Sequence, residues 1–205
     1  MKKNYISNSS ESSRMFSSSL LEGLSKVHFT VPLIIYIPVI VYFSYKALFV
    51  SEVNPLLFTG FFLLGVLLWT VTEYFLHRYI FHYVPHSKWG LRIHFIFHGV
   101  HHDYPKDAKR LVMPPSASIP LALGFYFLFG LIFSQPQLYS FFPGFVTGYL
   151  IYDMMHYAMH HYNFKSSLMK RVKQHHMLHH YSDSTKGYGV SSKLWDAIFR
   201  SDFHK

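Results

Sequence analysis

The sequence contains no cysteine. That absence removes disulfides, thiolate zinc sites, iron–sulfur clusters and cysteine nucleophiles together, and it fits a reducing compartment. Charge is also scarce, at 14% of residues, where a soluble domain carries roughly 25%. There are only ten acids, and no Glu-x-x-His element of the soluble di-iron bundles occurs among them. What fills the space is apolar and aromatic: half the residues are hydrophobic and a fifth are Phe, Tyr or Trp. That balance predicts a membrane protein before any position is considered.

Residues 1–26 are Ser-rich and polar, with Lys2, Lys3, Arg14 and Lys26. They read as a flexible or surface-lying tail and not as a signal peptide, because no apolar core follows the first lysines. Residues 27–205 read as one membrane-embedded domain. Within it Val27–Val50 and Leu56–Leu76 are apolar runs of the roughly 20 residues that cross a bilayer. Ser116–Phe133 and Leu138–Met155 are shorter and read as a tight helical hairpin. The predicted fold class is all-α, with about four transmembrane helices and a histidine-rich cap.

The positive charge is segregated. Four Lys or Arg lie in the tail, six between Arg78 and Arg110, and eight from Lys165 onward; Lys46 is the single exception. With four spans those three segments share one face, and the positive-inside rule makes that face cytoplasmic. A net charge of +9 suits an anionic membrane surface or an acidic protein partner. Nucleic acid is not expected, since the basic residues flank apolar spans and form no stripe with exposed aromatics.

Histidine is the conspicuous excess, with 16 residues. Apart from His28 and the terminal His204, both read as bystanders, the histidines lie in the polar segments or at helix ends entering them. Four groups stand out: His77 and His82; His98, His101 and His102; His156 and His160; His176, His179 and His180. Spacings of three and four put imidazoles on one helical face. His77 and His82 are five apart, about 140° on a regular helix, so they need a helix end or a bulge to meet on one ion. Neutral imidazole suits iron, zinc, copper or nickel. Ten imidazoles exceed one ion's capacity; shared by two ions they supply five each and leave an octahedral metal one open position. His94, His161 and His175 read as neighbours that support or pack, and His86 as structural, since Pro85 cuts its helical link to His82. Glu73 lies four residues before His77, and Asp153 three before His156. Both acids are placed to orient a ligand imidazole.

Three stretches, Glu73 to His82, His94 to Pro115 and His175 to Phe199, resemble the fatty acid hydroxylase superfamily of membrane histidine-box enzymes, and most of all its fatty acid 2-hydroxylases. The more specific runs are Arg110-Leu-Val-Met-Pro-Pro115 and Gly187-Tyr-Gly-Val-Ser-Ser192 before Trp195-Asp196. The resemblance implies a di-iron site held by the ten histidines, with dioxygen as oxidant and two electrons from a carrier. A 26-residue tail is too short for the fused cytochrome b-type domain that some members carry. A separate electron-transfer protein, cytochrome b-type or ferredoxin-like, is therefore expected. The expected reaction is hydroxylation of a fatty-acyl chain, free or amide-linked in a sphingolipid, at the 2-position. Zinc could replace iron in purified protein. Phe125, Tyr126, Phe145 and Tyr149 are candidates to line an acyl slot. The short chain favours a bacterial inner membrane over the endoplasmic reticulum. The alternatives are a sterol or carotenoid hydroxylase or desaturase, and a membrane metal transporter, which would instead need ionisable groups near mid-membrane.

Overall fold

The computed structural model describes residues 4–203, and among these it contains nine α-helices and no strand. They are α1 (Ser19–Leu24), α2 (Thr30–Tyr45), α3 (Pro55–Phe75), α4 (Lys88–His94), α5 (Val100–Asp103), α6 (Pro115–Gly130), α7 (Gln135–His161), α8 (Ser167–Tyr181) and α9 (Leu194–Ile198). π-helical turns prolong α2 over Lys46–Val50 and α3 over Leu76–Phe81, and a third joins α4 to α5 over Phe95–Gly99. His204 lies outside the described residues.

Two of these helices, Thr30–Val50 and Pro55–Phe81, are long and apolar enough to cross a membrane. Both turn large apolar side chains outward, including Ile34, Val41, Phe49, Leu56 and Leu63. The side chain of Asn54 accepts from the Leu56 N–H and Pro55 follows it, so the second span has a defined start. Helix α6 is apolar but only 16 residues long. Helix α7 has 27 residues, about 40 Å of helix, and runs through the middle of the bundle. Pro38, Pro120 and Pro143 lie inside their helices and break none of them. Neighbouring helices can re-satisfy the carbonyl that each proline leaves free.

The tightest helix contact is between α3 and α7, and it depends on missing side chains. A Cβ at Gly144 would stand 1.9 Å from the Phe62 carbonyl oxygen, and one at Gly65 would stand 2.3 Å from that of Phe141. Gly148, one turn beyond Gly144, makes room for the Trp69 ring. Small residues four apart let membrane helices approach closely. Around this contact Tyr36, Trp69, Phe141, Phe145 and Tyr149 form a mainly aromatic core.

The N-terminal segment lies on the surface of the cap and is tied to it at several points. The Ile6 N–H donates to the Asp103 carbonyl and the Ser12 hydroxyl to Asp107. Glu22 is buried against Arg110 at 2.7 Å, and Arg110 also donates to the Ser13 carbonyl. Met15, Phe16, Leu21 and Leu24 border a cavity described below, Leu21 and Leu24 at its exposed rim.

Candidate metal centre

The π turn that extends α3 changes the local register. The His82 N–H reaches back five residues to the His77 carbonyl at 3.1 Å. The wider turn brings the two rings to 4.9 Å between centroids. The five-residue spacing therefore meets its requirement through a π turn, a feature found often at functional sites.

The ten imidazoles singled out by spacing converge in two groups of five. His77, His82, His98, His102 and His179 form one; His101, His156, His160, His176 and His180 form the other. Within each group the ligand-type nitrogens lie within 4.8 Å of one another. The two three-histidine runs do not each serve a single centre. His98 and His102 enter the first group while His101 enters the second; His176 and His180 enter the second while His179 enters the first. Residues i and i+4 stay together and i+3 turns to the neighbour. The two runs are used in opposite senses, so each group is assembled as two, two and one.

In the first group the nitrogen contacts cannot all be hydrogen bonds, since His77, His82 and His98 Nε2 face one another in a trio. His77 Nδ1 donates to the Tyr188 carbonyl at 2.5 Å and His179 Nδ1 to the Lys186 carbonyl at 2.6 Å. A neutral imidazole carries one N–H, so the Nε2 atoms of both rings are bare lone pairs. His77 Nε2 nevertheless faces His98 Nε2 at 3.1 Å and His82 Nε2 at 3.2 Å, and His179 Nε2 faces His82 Nε2 at 3.0 Å. In the second group His156 Nε2 faces His101 Nε2 at 2.8 Å, and His160 Nε2 faces His176 Nε2 at 2.9 Å. Lone pairs converging on a shared centre are the geometry of a cation site. An all-imidazole donor set fits a borderline divalent metal. Protonation does not compete at neutral pH. Burial, reinforced by neighbouring imidazoles, holds His98, His101, His102, His176 and His180 well below the usual histidine range and His82 at about 2. Burial lowers His179 to about 4, although the Lys186 carbonyl pulls the other way. Neutral imidazole is the form that binds metal.

The two acids expected to orient imidazoles make no carboxylate-to-imidazole hydrogen bond. Glu73 accepts from the Val190 and Ser191 N–H groups, both at 2.8 Å, and from the Ser191 hydroxyl. Asp153 accepts from the Met113 N–H at 3.2 Å and the Tyr149 hydroxyl at 3.0 Å. On a helix a carboxylate reaches a neighbouring ring only when nothing stronger competes, and here buried backbone donors compete. The groups that do hold imidazoles, the Lys186 and Tyr188 carbonyls, are backbone atoms with no side-chain signature; the two glycines at 187 and 189 were the available clue. Of the remaining histidines, His175 is buried between Asp196 (3.1 Å) and Asp202 (3.4 Å). His94 is half-buried, and His28, His86 and His161 are exposed. None of these five joins either group.

An apolar cavity of about 470 Å³ opens beside the imidazoles. It touches His98 of the first group and His101 and His156 of the second, and the run Leu111-Val-Met-Pro114 forms one wall. Met113 and Leu121 also line a smaller cavity of about 30 Å³, between α3, α6 and α7. Phe125, Phe145 and Tyr149 border that smaller space, whereas Tyr126 borders neither.

The family model for fatty acid hydroxylase matches residues 62–201. The chain is 38% identical to a fatty acid 2-hydroxylase of Homo sapiens, over 92% of this chain and 56% of that protein. It is 37% identical to a dihydroceramide fatty acyl 2-hydroxylase of Arabidopsis thaliana, over 92% of this chain and 79% of that one. It is 37% identical to a ceramide very long chain fatty acid hydroxylase of Saccharomyces cerevisiae, over 88% of this chain and 47% of that one. The chain thus spans about half the length of the human and yeast proteins. A solved structure of full-length scs7p, in which only the hydroxylase domain is visible, superposes with a TM-score of 0.86 at 36% identity. The match covers 91% of this chain and 70% of that one.

Proposed function

The chain belongs to the fatty acid hydroxylase family, and on that premise we propose that it hydroxylates a fatty-acyl chain, free or amide-linked, beside its carbonyl. The reaction takes one oxygen atom of dioxygen into a C–H bond and reduces the other to water with two electrons and two protons. The observation that carries this reading is the cavity. It is mostly apolar, lies within the roughly 300–1,000 Å³ of small-ligand sites, and touches histidines of both groups. It gives an acyl chain a dry slot ending at the imidazoles.

The ten histidines would hold two ions, five imidazoles to each. Two iron ions supply the redox chemistry for an unactivated C–H bond when bound, which acid–base groups lack. The protein's own part is to fix the imidazoles, exclude water and place the acyl carbon. The Leu111–Pro114 wall and the inward face of the N-terminal segment confine the chain. His77 and His82 follow the end of α3, His156 and His160 lie at the end of α7, and the other six gather on the same side; we read that side as headgroup depth, so the carbon next to the carbonyl reaches the histidines before the methyl end does.

The chain is a membrane protein. We read α2, α3, α6 and α7 as four passes, with residues 1–26 and the cap on the cytoplasmic side. The segregation of Lys and Arg supports that orientation. The relatives named above are eukaryotic and lend no support to a bacterial inner membrane. Electrons come from a carrier protein, cytochrome b-type or ferredoxin-like, docking on the basic cap.

The test is mass spectrometry of lipids from a host with and without the gene. An added oxygen next to the acyl carbonyl is expected. Oxygen on a sterol or carotenoid would move the assignment to another branch of the superfamily. No oxygenated lipid, together with altered iron or zinc uptake, would favour transport.

A further inference from the structure

Between α8 and α9 runs Lys186-Gly-Tyr-Gly-Val-Ser191, a short loop held by two buried carboxylates from opposite sides. Glu73, 4% exposed, takes the N–H groups of Val190 and Ser191 and the Ser191 hydroxyl. Asp196, wholly buried, takes the N–H groups of Tyr188 (2.9 Å) and Gly189 (2.8 Å), the Ser201 hydroxyl (2.7 Å) and His175. Four consecutive N–H groups, 188 to 191, are thus fixed by carboxylates. Gly187 stands at φ +71°, a conformation that other residues rarely adopt. That conformation turns the carbonyls on either side of it, Lys186 and Tyr188, toward the imidazoles. A Cβ at Gly189 would stand 2.0 Å from the Ser192 carbonyl oxygen, so the loop is also closed against its own backbone.

The two carbonyls that this loop presents go to His179 and His77, and both belong to the same five-histidine group. The other group has a single backbone acceptor, the Pro105 carbonyl on His160, and none from a carboxylate-clamped loop. There the Nδ1 atoms of His101, His156, His176 and His180 are buried with no protein acceptor. A fixed acceptor on the far nitrogen sets a ligand's tautomer and ring angle and raises its basicity. We propose that the two metal sites are unequal: the carboxylate-clamped loop makes the His77, His82, His98, His102 and His179 site the tighter, first-filled one. Glu73 and Asp196 are its positioning residues.

The inference rests on the ten histidines holding two ions, and the test separates the two ideas. The purified full chain is stripped with a chelator in detergent and titrated with Zn²⁺ alone against a chromophoric competitor. Two ions per chain are expected, in two classes at least about tenfold apart. Glu73→Ala and Asp196→Asn are expected to weaken the tighter class by about 10–100-fold and leave the weaker one in place. Glu73→Gln keeps the acceptor for both N–H groups and is expected to restore most of that loss. A merely structural role would move both classes together. His176→Ala is expected to remove the weaker class and spare the tighter. Ser191→Ala, which buries no new charge, guards against misfolding of the other variants and is expected to give a smaller loss in the same class. Two equal classes in the wild type, or loss from both classes in every Glu73 and Ser191 variant, would overturn the inference. Binding of no ion would instead overturn the metal reading beneath it.

Discussion

His102 and His180 stack with their ring centroids 4.3 Å apart, yet they belong to different groups of five. Each is therefore a single point of failure for one site. Replacing either by Ala is expected to remove the 2-hydroxylated lipid product while the protein stays in the membrane, because insertion depends on the apolar spans. The loss should exceed the roughly 10–100-fold typical of losing a partner behind a ligand. His28→Ala is the control: that ring is exposed and contacts Thr30, so product should persist. Lipid mass spectrometry with a membrane-fraction immunoblot reads both outcomes. The donor set carries a second expectation. Nitrogen sites bind zinc more tightly than ferrous iron, and zinc has no redox chemistry. Purified protein is expected to carry zinc and to be inactive until reconstituted with ferrous iron, a reductant and dioxygen. Full turnover with zinc alone would sink the oxygenase mechanism.

At the level of elements, the π turn at Leu76–Phe81 is a device with a removable residue. Tyr79 is 53% exposed and lies within it. Deleting Tyr79 restores a four-residue spacing between the two histidines and rotates everything after it. Metal analysis of that variant is expected to fall from two ions to one, because the chain leading from His82 toward His98 and His102 is turned by about 100° relative to α3. A count that stays at two would mean the turn is ornamental. The α3–α7 contact makes a different prediction. Gly144→Val puts atoms where the Phe62 backbone already stands, and such overpacking costs about 1–3 kcal/mol or more. A lowered thermal midpoint in detergent is expected, with no change at Gly60, where a Cβ would meet open space. These cases also mark what the sequence made readable. The five-residue spacing of His77 and His82 demanded a local distortion, and one is present. The segregated Lys and Arg marked off the polar segments before any coordinates. Helical periodicity could not divide the three-histidine runs between two centres, because that depends on where α5 and α8 sit relative to each other. The loop through which Glu73 bears on the imidazoles was hidden for a similar reason. The partners of Glu73 there lie 117 and 118 residues away, beyond any local pattern.

Across the whole molecule, the N-terminal segment is joined to the cap by backbone hydrogen bonds and by the buried Glu22–Arg110 ion pair. Composition alone left it flexible or surface-lying, since a Ser-rich stretch has no periodicity and its anchor, Arg110, is 88 residues from Glu22. Burial would raise the Glu22 carboxyl. Hydrogen bonds from Lys26 and from the Met15 and Phe16 N–H groups, with the charge of Arg110, outweigh it and hold the group at about 2 instead of 4.5. A depressed carboxylate stabilises the fold fully above its unfolded pKa and stops doing so as pH falls through the folded value. The linkage is therefore intact above pH 4.5 and lost toward pH 2. Limited proteolysis of residues 4–26 is expected to run faster in Glu22→Gln than in wild type at pH 7. Proteases active in acid should find that difference shrinking between pH 4.5 and 2, and a constant difference would exclude the ion pair as the tie.

The loop between α8 and α9 also has a meaning in time. Translation delivers residues in order, and at about 5–20 per second more than a hundred follow His77 before Asp196 and Ser201 emerge. The apolar spans, His77 through His102, and then His156 and His160 are all made while the carbonyls that will orient His77 and His179 do not yet exist. Any ion that meets the nascent chain early meets an unfinished binding site. The first site is thus finished in reverse: all five of its imidazoles are made before the two carbonyls that orient His77 and His179.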